Sequence, residues 1–301
     1  MLFDPEHLPA AIIIVGPTAS GKTALSLQAA KHYGTSVISA DSRQCYRELN
    51  IGVAKPSPEE LSQCPHYFIG NHSIHDKVDA VVFETEALEA AASIFTSNNI
   101  AVVAGGTGLY VKIFCEGIDA IPSTDENVKK EVGKAWKEGG VPRLQQWINE
   151  IDPDYLEQGK EGTNPARLMR ALEVKLSSGS SILSFREGIK KTRPFAIKKI
   201  GISWSREILY QRINARVDNM MEAGLLKEVE SLYPFKEIKA LQTVGYQELF
   251  DYLDNKYSLD EAIDKIKQHT RNFAKRQMTW YKKDPGITWA FYDELMNSFR
   301  T

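Results

Sequence analysis

Gly16, Gly21, Lys22 and Thr23 have the spacing Gly-x-x-x-x-Gly-Lys-Thr, within the run Gly16-Pro17-Thr18-Ala19-Ser20-Gly21-Lys22-Thr23. That spacing suits a loop that holds phosphate. Its glycines let successive backbone amides turn toward one anion, and a helix starting at its end adds a positive pole. Lys22 supplies a point charge, and the Thr23 hydroxyl is placed for a magnesium ion beside the phosphates. The alternative is a strand-turn-helix junction that is merely glycine-rich.

A nucleotide-hydrolysing or kinase site also needs a carboxylate at the end of a neighbouring strand. The best candidate strand, Ile100 to Ala104, instead runs into Gly105-Gly106-Thr107-Gly108, with a threonine and no acid. The carboxylate aimed at that edge is Asp41, which follows the strand-like Ser36 to Ala40. Asp41 could hold magnesium, accept a proton from a substrate beside the phosphates, or close an Asx turn. Thr107 could orient a substrate or shape a turn. Arg212 and Arg216, four apart on one helical face, suit a clamp on a diphosphate or stand solvated.

These groups need a scaffold that brings loop ends together. Ala10 to Val15 is a continuous apolar, β-branched run, the pattern of a strand buried on both faces. Strand-like and helix-like stretches alternate through the first 120 or so residues, which predicts a parallel sheet wrapped by helices. From Pro122 to Pro194 no convincing strand is legible, so residues 122–194 are expected to be a helical insertion. Residues 1–121 and 195–301 are then the core. Ile197 to Trp204 reads as a strand returning to the sheet, and Ser205 can cap a long helix after it. The remainder reads as mostly helical.

The formal net charge is −2, so any nucleic-acid role must rest on local clusters. One exists: Lys265 to Lys283 carries seven Lys/Arg and no acid. At helical spacing Arg271, Lys275 and Lys282 share one face and Phe273, Gln277 and Trp280 another, with Arg276 beside them. A basic stripe next to aromatics suits an RNA backbone; the plainer reading is a solvated amphipathic face. Three scattered cysteines fit a reducing compartment. The N-terminal run lacks a leader-like pattern, and no apolar stretch approaches ~18 residues. A cytoplasmic protein without membrane attachment is expected.

Together these blocks resemble the tRNA dimethylallyltransferases, also called tRNA isopentenyltransferases. The resemblance rests on GPTASGKT, ISADSRQCYRELNIGVAKP, VAGGTGLYVK, NPARLMRALEV and AKRQMTWYKK, in the family's order and across nearly the whole chain. It implies a P-loop NTPase-like α/β core with a mostly helical insertion that contacts tRNA. It also implies transfer of a dimethylallyl group from dimethylallyl diphosphate to the exocyclic amine of the adenosine 3′ of the anticodon. Gly16 to Thr23 and Arg216 would then hold the diphosphate with magnesium on Thr23, Asp41 would be the base, and Thr107 would contact the reacting nucleotide. The implied tRNA contacts are Asp41, Ser42, Arg43 and Gln44, Lys129, and Pro165, Ala166, Arg167, Leu168 and Met169. Gln242, Thr243, Val244, Gly245, Tyr246 and Gln247 form another such block, and Arg271, Lys275 and Arg276 the last.

The family often has glutamine where Ala166 stands, which removes one polar contact. Arg167, in the first turn after the capping Asn164 and Pro165, opposes the helix dipole. An external phosphate would justify that placement, as would a salt bridge to Glu157 or Glu161. A monomer is expected. The rival readings are an isopentenyltransferase for free adenine nucleotides, a small-molecule kinase, and a nucleotide-gated RNA-binding module.

Overall fold

The computed structural model describes residues 9–158 and 162–299. The N-terminal run Met1–Leu8 and Glu161 lie outside them. The chain divides into two units, one of Met1–Glu116 with Thr192–Thr301 and one of Gly117–Lys191.

The larger unit opens with β1 (Ala10–Val15), α1 (Lys22–Tyr33), β2 (Val37–Ser39), α2 (Pro58–Leu61) and β3 (His66–Tyr67), followed by α3 (Ala80–Phe95), β4 (Ile100–Gly105) and α4 (Gly108–Glu116). The smaller unit supplies α5 (Glu126–Ile151), α6 (Pro153–Glu157) and α7 (Pro165–Ser178). The chain then returns with β5 (Ala196–Ser203), α8 (Arg206–Glu222), α9 (Leu225–Leu232), α10 (Tyr246–Leu253), α11 (Leu259–Tyr281), β6 (Ile287–Phe291) and α12 (Tyr292–Asn297).

The six strands form one parallel sheet in the order β3-β2-β4-β1-β5-β6. Every residue of β1 is buried, because helices cover both faces and neither can be polar. Alternate residues serve opposite sides. Ala11, Ile13 and Val15 pack with Phe83 and Phe114, whereas Ile12 and Ile14 pack with Leu25, Ala29 and Leu295. The register puts Val15 beside both Gly105 and Gly201, and Ser39 beside Ala104. The loops after β1, β2 and β4 therefore leave the sheet at one edge.

Two strands escape the sequence pattern. β3 is two residues long, and β6 lies in the stretch read as mostly helical. β6 is an edge strand with Thr288 and Phe291 exposed, so it lacks the continuous apolar run that marks β1 and β4. α3 also begins three residues before Phe83, where Asp79 accepts from Val81 N at 2.9 Å and Val82 N at 3.1 Å.

One buried ion pair ties α3 to the chain entering β5. Arg193 donates to Glu84 Oε1 at 2.7 Å and to the carbonyls of Phe114 (2.8 Å) and Ile113 (2.7 Å). Both side chains are nearly enclosed, at 8% and 10% exposure. Arg193→Met should destabilise the protein by about 3–5 kcal/mol, because it strips a buried carboxylate of its cation. A denaturant titration reads this directly. Pairing the change with Glu84→Leu should recover most of the loss.

In the smaller unit α5 breaks at Gly140 (φ 60°), two residues before Pro142. Its two halves and α7 enclose Val132, Leu144, Ile148, Tyr155, Leu168 and Leu172. Asn164 caps α7 by accepting from Arg167 N at 3.2 Å, and Pro165 is the first helical residue.

Candidate active site

Gly16 to Gly21 link β1 to α1. The turn needs left-handed backbone at Ala19 (φ 62°) and Gly21 (φ 93°), an arrangement that points successive amides to one side of the loop. Gly16 has no room for a side chain: a Cβ there would lie 2.8 Å from Ser20 Oγ. Lys22 Nζ donates to the carbonyls of Gly16 (3.0 Å) and Pro17 (2.8 Å). Burial pulls its pKa down to about 7; Arg216 adds to the fall and Asp41 opposes it.

The two arginines of α8 divide their work. Arg212 donates to Ala19 O at 2.8 Å and lies 4.6 Å from the Trp204 ring centre, so it props the loop from outside. Arg216 reaches Thr18 Oγ1 at 3.5 Å and lies within electrostatic range of Asp41 and Lys22. Burial lowers its pKa and the Asp41 carboxylate counteracts this. The Arg216 side also borders an apolar cleft of about 540 Å³, lined by Ile51, Ala54, Pro56, Pro58, Leu61 and Met220.

Asp41 ends β2. Its Oδ1 accepts from Arg43 N at 2.9 Å and Gln44 N at 3.4 Å, so it does close an Asx turn. That turn uses one carboxylate oxygen and fixes the direction of the other. Thr107 lies two residues past the end of β4 next door. Its N–H donates to Ala40 O (3.1 Å), and its hydroxyl accepts from Ser42 N (3.0 Å) and donates to Ser42 Oγ (3.2 Å). The two loops touch through backbone: a Cβ on Gly105 would sit 2.1 Å from Ala40 O. Thr107 thus shapes the turn and stands at the same edge as Asp41.

Thr23 and Asp41 line one small cleft with Ser26, Ser39 and Gln44. This is a set of hard oxygen donors next to a phosphate-type loop, and it fits magnesium, which prefers few protein ligands plus phosphate oxygens. Among the described residues there is no cluster of three His, Cys, Asp or Glu that would build a closed metal cage.

In the sequence Gln277 shares a helical face with Phe273 and Trp280, and that spacing assigns it no task. The structure puts it between the two loops, with Oε1 accepting from Thr18 N at 2.7 Å and Nε2 donating to Gly106 O at 2.8 Å. The available signal was a polar residue at helical spacing between Ala274 and Tyr281, both buried. Beside it, Trp280 packs so closely on Gly108 that a Cβ there would lie 2.3 Å from the ring.

The other expected contacts fare unequally. Arg43 donates to Lys239 O at 3.4 Å. Gln44 spends its amide within the protein, Nε2 donating to Ala54 O (3.0 Å) and Oε1 accepting from Ser39 Oγ (3.3 Å). Gln242 and Gln247 are exposed and bond each other at 2.7 Å. Thr243 and Val244 are half-buried, and Gly245 starts α10 with φ 97°. Tyr246 is fully buried, its hydroxyl donating to Glu228, so its side chain belongs to the core. Arg271 donates to Asn214 Oδ1 at 2.7 Å, whereas Lys275 and Arg276 are exposed on α11.

In the smaller unit, Lys129 pairs with Glu126 in the first turn of α5. Pro165 and Met169 are half-buried, and Ala166 and Arg167 are exposed on the first turn of α7. Leu168 is wholly buried, and its side chain packs the unit's own core.

The sequence model of the IPP transferase family matches residues 44–284. The chain belongs to that family. Its relatives include tRNA dimethylallyltransferase 1 of Bacteroides thetaiotaomicron, 44% identical over 282 residues, which cover 94% of this chain and 91% of that protein. The tRNA dimethylallyltransferase of Flavobacterium johnsoniae is 45% identical over 291 residues, covering 95% and 94%. Among solved structures, the tRNA isopentenylpyrophosphate transferase of Bacillus halodurans superposes with a TM-score of 0.70 at 33% identity, covering 97% of this chain and 94% of that one. A eukaryotic dimethylallyltransferase acting on tRNA gives a TM-score of 0.79 at 25% identity, covering 97% and 76%. The parallel sheet with flanking helices is the fold expected of the family, and the family is the one that the phosphate loop and its companion blocks resemble.

Proposed function

We propose that this protein transfers a dimethylallyl group from dimethylallyl diphosphate to the exocyclic amine of the adenosine 3′ of the anticodon in tRNA. The observation that carries the reading is the single sheet edge at which the phosphate loop, Asp41 and Thr107 follow adjacent parallel strands. The loop amides, Lys22 and Arg216 hold the diphosphate, and the apolar cleft beside Arg216 receives the branched five-carbon chain. The amine nitrogen attacks the first carbon of that chain. A carbon–nitrogen bond forms, the carbon–oxygen bond breaks, and diphosphate leaves with the electron pair. Asp41 accepts the amine proton. This matters because the lone pair of an adenine amine is delocalised into the ring, so losing the proton as the bond forms helps attack.

Magnesium, held by Thr23, would neutralise charge on the diphosphate. Thr107 steadies the acceptor nucleotide, which must leave its stack to reach this edge. The reading needs no residue from a second copy, and a monomer is expected. Among the described residues no helix is long and apolar enough to cross a membrane, in keeping with a cytoplasmic enzyme.

Purified protein with magnesium should move a labelled prenyl group from dimethylallyl diphosphate to an anticodon stem-loop. Transfer to free AMP but not to the stem-loop, or phosphate transfer from ATP, would overturn the reading. RNA binding should also weaken steeply with salt, the logarithm of affinity falling, for each tenfold rise in salt, by about 0.7 per phosphate contacted on single strands. Lys275→Ala and Arg276→Ala should each make that slope shallower in a filter-binding titration. A flat dependence in the unaltered protein would remove the basic face of α11 from the RNA surface.

A further inference from the structure

Gln277 is 6% exposed on α11, a helix whose outer face carries Lys275 and Arg276. Its amide is used at both ends, by Thr18 of the phosphate loop and by Gly106, the residue before Thr107. The orientation of the amide is set by these partners. Turned over, it would aim a donor at the Thr18 N–H and an acceptor at the Gly106 carbonyl. The approach is close on the Gly106 side, where a Cβ would lie 2.5 Å from Gln277 Nε2. The same loop points are tied to chemistry: Thr18 Oγ1 meets Arg216, and the Gly106 Cβ position is 3.8 Å from Lys22 Nζ.

β1 and β4 are hydrogen-bonded neighbours up to Val15 and Gly105. Beyond that pair the sheet can no longer hold the two loops in register. The Gln277 bridge lies just past it.

We infer that Gln277 is a positioning residue: its side-chain amide sets the spacing between the loop that holds the donor diphosphate and the loop that presents Thr107 to the acceptor. This rests on the function proposed above. The bridge touches neither reacting group. It acts through Thr18 and Gly106, and an error of about 1 Å between reactants is enough to slow a reaction about 100-fold. A glutamine suits the task because one terminal group must both accept and donate. Methionine has similar length but no donor and only a weakly accepting sulfur, and an ionised glutamate only accepts.

The experiment compares the unaltered protein with Gln277→Met and Gln277→Glu. It uses dimethylallyl diphosphate, an anticodon stem-loop and inorganic diphosphate as probes. Single-turnover transfer at saturating concentrations should fall about 10- to 100-fold in Gln277→Met. The affinities for stem-loop and for inorganic diphosphate, each measured alone, should change less than about 3-fold, below the step a lost direct contact would give. The fraction of competent sites, read from the reaction amplitude, should be unchanged.

Gln277→Glu adds a readout that packing alone would not move. Once protonated, its carboxyl regains a donor for Gly106 O, so its rate relative to the unaltered protein should rise as pH is lowered. An unchanged transfer rate in Gln277→Met overturns the inference. So does a loss confined to amplitude, or a glutamate variant whose relative rate is flat with pH. If the unaltered protein transfers nothing to the stem-loop, the proposed function fails with it; if it does and the variants match it, only the positioning role fails.

Discussion

Asp41→Asn should lower the single-turnover rate of prenyl transfer by about 10²- to 10⁴-fold, the range a positioned general base contributes. Affinity for the RNA stem-loop should change little. Asparagine is the informative replacement because of the turn that Asp41 closes. The Oδ1 that accepts from Arg43 and Gln44 has a counterpart in asparagine, so the loop geometry survives. What disappears is the negative charge and the capacity to take a proton. Alanine would remove both together and could not separate a turn-forming role from a chemical one. The measurement pairs rapid-quench transfer kinetics with RNA binding on the same preparation. A rate loss matched by an equal loss of RNA affinity would make Asp41 a binding residue. An unchanged rate would leave it only the turn.

Lys22→Met should be nearly as severe, with transfer falling about 10²- to 10³-fold, the scale for losing one donor aimed at charge that develops in the transition state. The pH behaviour is the sharper half of this prediction. The Lys22 pKa is drawn down to about 7, by burial first and by Arg216 second, with Asp41 opposing both. Below pH 7 the ammonium is already charged and a diphosphate binds without further protonation. Above it the amine is neutral, while an anion bound beside it raises its pKa again, so binding must take up a proton. Affinity for inorganic diphosphate should therefore weaken as pH rises from 7, by up to about tenfold per unit. In Lys22→Met that contribution should vanish, leaving the slope from the ligand's own ionisation. Calorimetric titrations of both proteins between pH 6 and 9 decide it, and equal slopes would refute the assignment.

The parts of the site that lie close together in sequence were legible there. Gly16 to Thr23 carry their function in local spacing, and β1 and β4 announce themselves because both faces must be apolar. Asp41 could be found because strand and loop adjoin. The turn it closes was one of three readings, and sequence alone could not rank them. What stayed hidden depends on partners far away. Tyr246 looks like a surface residue of a polar loop until Glu228 is seen to receive its hydroxyl. Leu168 sits in a block that resembles an RNA contact, yet α5 and α7 close over it. Gln277 gains its meaning from two backbone groups, one of them 259 residues earlier. β6 is an edge strand, half solvated, and a short run of mixed character does not declare its period.

The strand order has a consequence for how the molecule is made. β1, synthesised first, lies between β4 and β5, so its last residue pairs at Gly105 on one side and Gly201 on the other. The bridge between the two reactive loops comes later still, at Gln277. A ribosome that has finished the phosphate loop has made its residues but none of the framework that holds them. Gly117–Lys191 is different: it is one unbroken segment whose contacts are local, so it can close as soon as it emerges. The discontinuous unit must wait for its final helices, and distant pairings of this kind form slowly. Chains cut short before α11 should carry every motif of the first half and no organised site.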